Sequence, residues 1–392
     1  MHPSKFSHHK IVEILLFSEK GEGWKLKILI FNWRDIKNPA AGGAEAYTHN
    51  IMRILVGKGH TVTMIVAGFK GCEDHEVIDG IEIFRTGGRF TSYLRAAQTY
   101  REMDRDFDLV IDEINTRPFM TMRFVNNGEK IVALIHQLAR EFWHYEVPFP
   151  ISYIGEKFLE DHWLKRYTDI PTITVSESTR SDLLELGFKD IRIVHNGLDR
   201  FAQEMMSKES SPTLVFVGRF KRAKRPIDAI EAFKLARKTV PNLRLWMIGD
   251  GEEYAPLKQK NDEGVEFFGR LPRDRKDELI AKAHLLLVPS VREGWGLVVT
   301  EANSLGTPAI GYDVPGMRDS IKDGVTGSLC ASDPGSMAGK IVELLKDEQA
   351  LAEMSERAWN DSKQYSIESS AENMEKALLS ILSADQAHPR SA

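Results

Sequence analysis

Short apolar runs alternate with amphipathic helical stretches along most of this chain, and this alternation limits its fold more than any other feature. The first run, KLKILIFN (residues 25–32), is rich in branched apolar residues, which is typical of a buried strand. A glycine-containing loop and a helical stretch that ends near Gly57 follow, and TVTMIVAG (61–68) reads as the next strand. Strand, helix and strand of these lengths predict a βαβ unit, whose parallel sheet binds ligands at the carboxyl ends of its strands.

The same alternation recurs in two groups. Strand-like runs in the first group are FDLVIDEIN, KIVALIH, PTITVSEST and DIRIVHNG, and those in the second are TLVFVGRF, LRLWMIGDG, HLLLVPS and TPAIGYD. A chain of 392 residues, at roughly 150 residues per domain, also favours two domains. We therefore predict an α/β protein with two Rossmann-like, doubly wound parallel-sheet domains. The predicted parts are an extension (1–24), a first domain (25–200), a linker (201–212), a second domain (213–365), and a terminal helix and tail (366–392).

Composition excludes several classes of protein. The formal net charge of −5 gives no reason to expect nucleic-acid binding. The two cysteines, Cys72 and Cys330, have no metal-like spacing, which fits a reducing compartment rather than a disulfide scaffold or a zinc site. The apolar segment from Ile11 to Phe17 is interrupted by Glu13 and is too short to span a bilayer or to indicate a signal peptide. We expect a cytoplasmic protein.

The motif richest in chemistry is LLLVPSVREGWGLVVTEANSLGTPAIGYDVPG (285–316). Glu293 lies in a loop after a predicted strand, Glu301 lies in the helix that follows, and a Gly-Trp-Gly turn separates them. Glycines let a ligand approach the backbone, and free N–H groups at a helix start attract phosphate. Carboxylates accept hydrogen bonds from sugar hydroxyls. On spacing alone, however, the pair could equally be two solvated acids.

Three weaker motifs also follow predicted strands. The basic run FVGRFKRAKRP (216–226) could stabilise negative charge on a leaving group without a metal, or could be a solvated surface. The pair Gly42 and Gly43, just before a helix, could hold an anion on backbone N–H groups, or could simply form a tight turn. His136 ends the run KIVALIH, where it is either structural or functional. Further strand-end candidates, each with an alternative role as a turn residue, are Asn196, Asp250 and Arg270.

Together these motifs resemble the retaining GT-B glycosyltransferases of family 4, whose signature of two glutamates eight residues apart is matched by Glu293 and Glu301. The resemblance runs from Lys25 to about Leu382. It implies two domains that face a cleft and a hexosyltransferase that uses a nucleotide-diphosphate sugar as donor. It also implies a front-face reaction that retains anomeric configuration, with no cofactor and no metal.

The resemblance also assigns roles to individual residues. Glu293 would contact the donor sugar and Glu301 the ribose, while the backbone around Trp295, Gly296 and Leu297 would contact the diphosphate. In the basic run it selects Arg219 and Lys224 as charge partners of the leaving group, rather than Lys221, Arg222 or Arg225. It implies that His136 lies near the reacting carbon and that the Gly42–Gly43 loop lies over the donor phosphate. It also implies that the segment around Arg270 contacts the base.

The acceptor is less constrained than the donor, and a glycan, a lipid-linked sugar and a small molecule all remain open. The segment 140–167 combines several aromatic residues with four Lys and Arg side chains, which could contact the inner face of a membrane. The alternative is that these aromatics fill a domain core. The aromatics in question are Phe142, Trp143, Tyr145, Phe149, Phe158 and Trp163. Asp112 and Glu113 are possible acceptor-side groups, whereas Asp104 and Asp106 precede a strand and are rejected as metal ligands.

Three other kinds of function are possible for a two-domain α/β protein besides glycosyl transfer. A nicotinamide-dependent dehydrogenase is excluded because no G-x-G-x-x-G follows the first strand and no acidic residue ends the second. A non-catalytic nucleotide-sugar binder is disfavoured by the intact set of Glu, Arg and Lys residues. A sugar-nucleotide epimerase or a phosphorylase of the same architecture stays open as the alternative.

Overall fold

The computed structural model describes residues 24–88, 91–260 and 262–387. The predicted extension lies outside this part of the chain except for Trp24, as does the end of the predicted tail. Within it, the strands form one sheet of eight and one of six. No helix in the described ranges is both long enough and apolar enough to cross a membrane.

The first sheet has the strand order β3-β4-β2-β1-β5-β6-β7-β8. Its strands are β1 (Lys27–Phe31), β2 (Thr61–Val66), β3 (His75–Ile78), β4 (Ile81–Arg85), β5 (Leu109–Glu113), β6 (Lys130–Ile135), β7 (Thr172–Thr174) and β8 (Ile191–Ile193). β1 pairs in parallel with both β2 and β5, and β7 pairs in parallel with both β6 and β8. The edge strand β3 is antiparallel to β4. The sheet is thus parallel as predicted, with an added hairpin that was not predicted.

The second sheet has the strand order β11-β10-β9-β12-β13-β14, and all its pairs are parallel. Its strands are β9 (Thr213–Val217), β10 (Arg244–Ile248), β11 (Val265–Gly269), β12 (Leu285–Val288), β13 (Ala309–Tyr312) and β14 (Gly327–Cys330). Alternate residues of a strand face opposite sides of a sheet. Leu214 and Phe216 accordingly belong to one apolar cluster and Val215 to the other, so both faces of this sheet are covered.

Helices connect most of the parallel strands. In chain order they are α1 (Gly43–Gly57), α2 (Ser92–Glu102), α3 (Trp143–Glu146), α4 (Ile151–Ile154), α5 (Glu160–Leu164), α6 (Glu177–Glu185), α7 (Pro226–Arg237), α8 (Tyr254–Gln259), α9 (Arg273–Lys282), α10 (Leu297–Ser304), α11 (Met317–Ser320), α12 (Pro334–Leu345), α13 (Glu348–Ser362) and α14 (Ile367–Ala387). Strands covered on both faces consist of near-continuous apolar runs, and Ile28 to Phe31 of β1 are fully buried.

Each sheet changes its direction of growth at one place, between β1 and β5 in the first sheet and between β9 and β12 in the second. In open α/β sheets, ligands bind outside the carboxyl ends of the strands at such a switch point. The loop after β1 carries Gly42 and Gly43, the loop after β9 carries Arg219 and Lys224, and the loop after β12 carries Glu293. The topology therefore explains why the predicted site residues follow these three strands.

Contacts divide the described chain into two compact units. The first unit contains the described residues up to 113, residues 119–132 and the described residues from 378 onward, and the second contains residues 114–118 and 133–377. The core of the first unit is built around Leu29, Phe31, Ile65 and Val110, with Tyr100 packed against them. The segment 201–212 lies between β8 and β9, the last strand of one sheet and the first of the other. The domain boundaries drawn from the sequence remain a prediction.

Candidate active site

Glu293 and Lys224 form a direct ion pair in the second unit. Glu293 lies in the loop between β12 and α10, and its N–H donates to the carbonyl of Pro315 at 3.0 Å. Lys224 ends the 3₁₀ turn Arg222–Lys224 after β9, and its ammonium donates to Glu293 Oε1. The two side chains are only 30% and 14% exposed. The cation predicted to face the leaving phosphate and the carboxylate predicted to face the donor sugar are therefore adjacent.

The other cations of the basic run have different surroundings. Lys221 pairs with Glu146 at 2.6 Å, and Arg225 pairs with Asp228 at 2.9 Å. Arg219, one residue beyond Gly218 at the end of β9, has an exposed side chain, as has Arg222. Lys224 is thus distinguished from its neighbours by its contact with Glu293.

Glu301, on α10, also pairs with a lysine. Lys276 of α9 donates to Glu301 Oε2 at 2.7 Å, and the two side chains are 20% and 30% exposed. Glu301 also helps to line a pocket of about 160 Å³ in the second unit. The other lining residues are Leu198, Arg200, Phe201, Ala202, Arg273, Asp277, Ser304 and Leu305. Lys276 was not predicted from the sequence, where it stands among six consecutive charged residues, RDRKDE.

The turn between the two glutamates is fixed by Trp295 and Gly296. The Trp295 side chain is 3% exposed, its Nε1 donates to Thr300 Oγ1 at 2.8 Å, and its ring packs on His195 and Tyr365. Gly296 has φ of +87°, a conformation that favours glycine, and α10 begins at Leu297. The Trp295 side chain therefore points into the protein, and contact of this turn's backbone with a diphosphate remains a prediction.

His136 follows β6 and lies beside the loop that carries Glu293. A Cβ at Gly294 would lie 2.6 Å from the carbonyl oxygen of His136, so only glycine permits this approach. The same carbonyl accepts a hydrogen bond from Thr179 Oγ1 at 3.1 Å, and His136 is 8% exposed. The structure thus brings His136 next to the Glu293 loop within the second unit.

Arg292, which the sequence analysis missed, fixes the other side of this loop. Its side chain is 8% exposed, and it donates to Glu141 Oε2 at 2.8 Å and to Asp182 Oδ2 at 2.7 Å. Burial alone would lower the pKa of Arg292, but the two carboxylates outweigh burial and raise it. Glu141 and Asp182 are far from Arg292 in sequence, and nothing in the motif marks Arg292 as their partner.

Three further predicted donor-binding residues lie at strand ends of the second unit. Asn196 is 6% exposed, and its Oδ1 has no hydrogen-bond partner among the described residues. Asp250 is exposed and accepts a hydrogen bond from the N–H of Gly251 at 2.8 Å. Arg270 is exposed directly after β11. Their roles toward a ligand remain predictions.

The predicted phosphate loop belongs to the first unit. α1 begins at Gly43, and the N–H of Gly42 donates to Glu45 Oε2 at 2.6 Å. The loop is anchored by Asp35, which accepts from Arg85 Nε at 2.7 Å and from the N–H of Lys37 at 2.7 Å. The N–H of Gly42 therefore already has an acceptor within its own helix, which the sequence analysis did not foresee.

Asp112 is a structural residue, which corrects the expectation of an acceptor-side role. Its carboxylate is fully buried and accepts from the N–H of Phe119 at 3.1 Å and from Thr121 Oγ1 at 3.1 Å. Glu113 is 1% exposed and is likewise inaccessible. Across the residues that the structure describes, no group of three or more His, Cys, Asp or Glu side chains is arranged to hold a metal ion.

Two family models match adjoining parts of the chain. Residues 41–200 match the family model described as Glycosyltransferase Family 4, and residues 199–361 match the one described as Glycosyl transferases group 1. The two matches adjoin each other and include every predicted site residue. The chain belongs to the family 4 glycosyltransferases. The family that the two glutamates indicated is therefore confirmed.

Curated relatives of this glycosyltransferase match over part of its length. N-acetyl-alpha-D-glucosaminyl L-malate synthase of Bacillus anthracis is 35% identical over 186 residues, which cover 43% of this chain and 48% of that protein. Glycogen synthase of Mycobacterium tuberculosis is 31% identical over 211 residues, or 50% of each chain. The chain thus spans about half the length of the curated relatives it matches.

Solved structures share the fold of this glycosyltransferase over most of its length. A sucrose-phosphate synthase from Thermosynechococcus elongatus has a TM-score of 0.75 at 18% identity, covering 92% of this chain and 100% of that one. The Anabaena protein HepE, in complex with UDP and glucose, has a TM-score of 0.67 at 16% identity, covering 91% and 100%. The predicted GT-B fold, with two Rossmann-like parallel sheets, is thereby confirmed.

Proposed function

We propose that this glycosyltransferase moves a sugar from a nucleoside-diphosphate donor to an acceptor hydroxyl, with retention of anomeric configuration and without a divalent metal. The observation that carries this proposal is the Lys224–Glu293 pair beside the helix that bears Glu301. A carboxylate for the sugar, a carboxylate for the ribose and a cation for the diphosphate are the three groups that such a donor requires.

The proposed reaction takes place on one face of the donor sugar. The bond from the anomeric carbon to the diphosphate breaks, and its electron pair stays on the phosphate oxygen. The acceptor oxygen bonds to the same carbon from the same side, and its proton passes to the leaving phosphate. Lys224 and Arg219 would stabilise the charge that develops on that phosphate. Glu293 would orient the sugar through its hydroxyls, with His136 near the reacting carbon.

Similar proteins suggest which donors to test first. HepE structures hold UDP with glucose and UDP-glucose, and the name of the Bacillus anthracis relative specifies an N-acetylglucosaminyl group. Uridine-diphosphate sugars are therefore the first candidates. The acceptor can be a glycan, a lipid-linked sugar or a small molecule.

An activity screen without metal tests the proposal. The dialysed protein is incubated with UDP-glucose, UDP-N-acetylglucosamine and GDP-mannose, a panel of acceptors and excess chelator, and released nucleoside diphosphate is measured. We expect acceptor-dependent release, a product that keeps the donor's anomeric configuration by NMR, and loss of both in Glu293→Gln. Activity that needs added magnesium or manganese contradicts the metal-independent part. Epimerised donor without acceptor, or release that requires inorganic phosphate, would instead indicate an epimerase or a phosphorylase.

We further propose that the acceptor is presented at a membrane surface. Apolar side chains in the segment 145–158 are exposed, and Phe149 and Phe158 are 80% and 60% accessible. We call this group the aromatic patch, and its members are Tyr145, Phe149, Ile151, Tyr153, Ile154 and Phe158. None of the six aromatics named in the sequence analysis is fully buried, although Tyr167 at the end of the same segment is. Three of these six aromatics, Tyr145, Phe149 and Phe158, belong to the aromatic patch. The other three, Phe142, Trp143 and Trp163, are half-buried.

Charges around the aromatic patch are largely paired within the protein. His144 and Lys157 both bind Glu156, and Arg140 binds Asp161 at 2.6 Å. Apolar and aromatic contact, rather than attraction to anionic headgroups, would therefore drive binding. The proposal is that a cytoplasmic protein makes peripheral contact with the inner face of a membrane.

A further inference from the structure

Lys276 is the one side chain in the described part of the chain that hydrogen-bonds the Glu301 carboxylate. Lys276 lies in the first half of α9 and Glu301 in the second half of α10, so the contact joins two helices of the second unit. The distance from Lys276 Nζ to Glu301 Oε2 is 2.7 Å, and both side chains are at least two-thirds shielded from solvent. Charge-assisted hydrogen bonds are roughly twice as strong as neutral ones.

Neighbouring cations on α9 have other partners. Arg273 donates two hydrogen bonds to Asp199, at 2.8 and 2.5 Å. Arg275 and Lys282 both bind Glu278. Arg273 also lies near enough to Glu301 to attract it electrostatically, but its hydrogen bonds go to Asp199. Lys276 is therefore distinguished on this helix by its hydrogen bond to a residue of the proposed donor site.

One lysine does not exhaust the hydrogen-bonding capacity of a carboxylate. An ionised carboxylate has about four acceptor positions on its two oxygens. Lys276 occupies one of them on Oε2, which leaves Oε1 and the other position on Oε2 for two further donors. The vicinal hydroxyls of a ribose are two such donors. The lysine thus restricts the rotation of the Glu301 carboxylate without occupying the positions that the hydroxyls would use.

We propose that Lys276 is a positioning residue that holds Glu301 for the ribose hydroxyls and sets how strongly the enzyme distinguishes ribonucleotides from deoxyribonucleotides. This inference rests on the proposed function, in which Glu301 binds the ribose. Restricting the carboxylate before the donor arrives reduces the entropy lost on binding. The same ammonium also offsets the negative charge that Glu301 would present to an anionic donor.

These two effects of Lys276 are separable by experiment. If Lys276 acts only through its charge, its removal weakens the binding of every nucleoside diphosphate by about the same factor. If it positions Glu301, its removal weakens the binding only of ligands that carry the ribose hydroxyls. The dissociation constant of the dideoxynucleotide divided by that of the ribonucleotide therefore reports positioning. A general loss of affinity or of folded protein leaves this ratio unchanged.

The experiment measures dissociation constants for the diphosphates of uridine, guanosine and adenosine and for their 2′,3′-dideoxy counterparts. For the base that binds, we expect wild type to prefer the ribonucleotide by roughly tenfold to a hundredfold, the scale of one hydrogen bond to a charged group. Glu301→Ala is expected to abolish the preference, and Lys276→Met to reduce it to about threefold or less. Lys276→Arg should restore most of it. Lys282→Met, the matched change on the same helix, should leave it unchanged.

The outcomes separate this inference from the proposal on which it rests. If wild type discriminates and Glu301→Ala does not, but Lys276→Met discriminates like wild type, then Lys276 has no positioning role while the proposed function stands. If wild type binds none of the ribonucleotides, or if Glu301→Ala discriminates like wild type, the assignment of Glu301 to the ribose is wrong. The role of Lys276 is then wrong with it.

Discussion

At the scale of single residues, each glutamate of the proposed donor site is accompanied by a lysine. Glu293 pairs with Lys224, and Glu301 pairs with Lys276. A donor diphosphate would otherwise approach two uncompensated carboxylates. Two unit charges 4 Å apart interact by about 4 kcal/mol at the effective dielectric typical of a protein surface. The lysines remove most of that repulsion before the donor binds, which suits a site that takes an anionic ligand without a metal.

Removal of the cations predicted to face the leaving group should reduce turnover. Arg219→Ala and Lys224→Ala are each expected to lower kcat by roughly 10²- to 10³-fold, the scale of one preorganised electrostatic contact. Lys224→Ala should also raise the KM for the donor, because Glu293 then loses its partner. Steady-state kinetics with varied donor gives both constants.

Lys221→Ala and Arg222→Ala are the matched controls for this prediction. Lys221 pairs with Glu146 and Arg222 is exposed, so neither change should alter kcat by more than about threefold, within the range of surface substitutions. Equal loss of activity in all four variants would show that the basic run acts only as a charged surface.

Sequence predicted the residues that follow buried strands better than those that support them. Apolar runs locate the strands whose carboxyl ends face ligands, and so indicate the loops that carry Glu293, Lys224 and His136. The choice of these residues within the loops rested on the family resemblance. Lys276 and Arg292 could not be found in this way. Arg292 meets Glu141 and Asp182, which precede it by more than 100 residues, so its partners are defined only once the chain has folded.

At the scale of elements, strands formed by longer apolar runs were predicted, whereas the hairpin β3–β4 and the short, mostly buried β14 were not. β1 and β12 are continuous apolar runs, whereas the hairpin β3–β4 comes from HEVIDGIEIFR, in which charged and apolar residues mix. β3 is an edge strand whose side chains remain partly exposed, so no apolar run marks it. The short helices α3, α4 and α5 were also missed because each spans only four or five residues, too few to show a helical period.

The aromatic patch, which lies on and between these short helices, should bind lipid vesicles. We expect wild type to sediment with vesicles and the double variant Phe149→Ser, Phe158→Ser to stay in the supernatant, because about 1.5–3 kcal/mol of apolar burial is lost per side chain. Leu184→Ser with Leu235→Ser is the matched control, since both leucines are exposed on other helices. Because the charges around the patch are paired, we expect about the same amount of wild type to sediment with neutral as with anionic vesicles.

Wild type that remains in the supernatant with both kinds of vesicle would overturn the membrane proposal. Binding to anionic vesicles alone, unaffected by the changes at Phe149 and Phe158, would show that charge rather than the aromatic patch makes the contact. Transfer to a water-soluble acceptor should proceed equally in wild type and in the double variant.

At the scale of the whole molecule, the segment 201–212 shows why a polar stretch need not be a free linker. Its composition predicted a connection between domains, and it does connect the two sheets. However, Lys208 is largely buried and donates to the carbonyls of Ala281 and Gly306 and to Thr307 Oγ1, at 2.8–2.9 Å. Composition could not predict this attachment, because the acceptors belong to the last turn of α9 and to the turn after α10, far along the chain.

Lys208 should make the stability of this glycosyltransferase increase with pH above neutrality. Burial lowers the pKa of Lys208 to about 7, whereas the unfolded chain should have the ordinary lysine value near 10.4. Between these values the unfolded state binds more protons than the folded state, so the free energy of unfolding rises with pH. In Lys208→Met this contribution is absent. We therefore expect the midpoint of thermal unfolding of wild type, minus that of the variant, to grow between pH 7 and pH 9.5. Lys282→Met, a change at a half-exposed lysine that pairs with Glu278, should leave the pH dependence of wild type intact. A difference between wild type and Lys208→Met that stays constant with pH would mean that the three oxygen acceptors keep Lys208 protonated throughout.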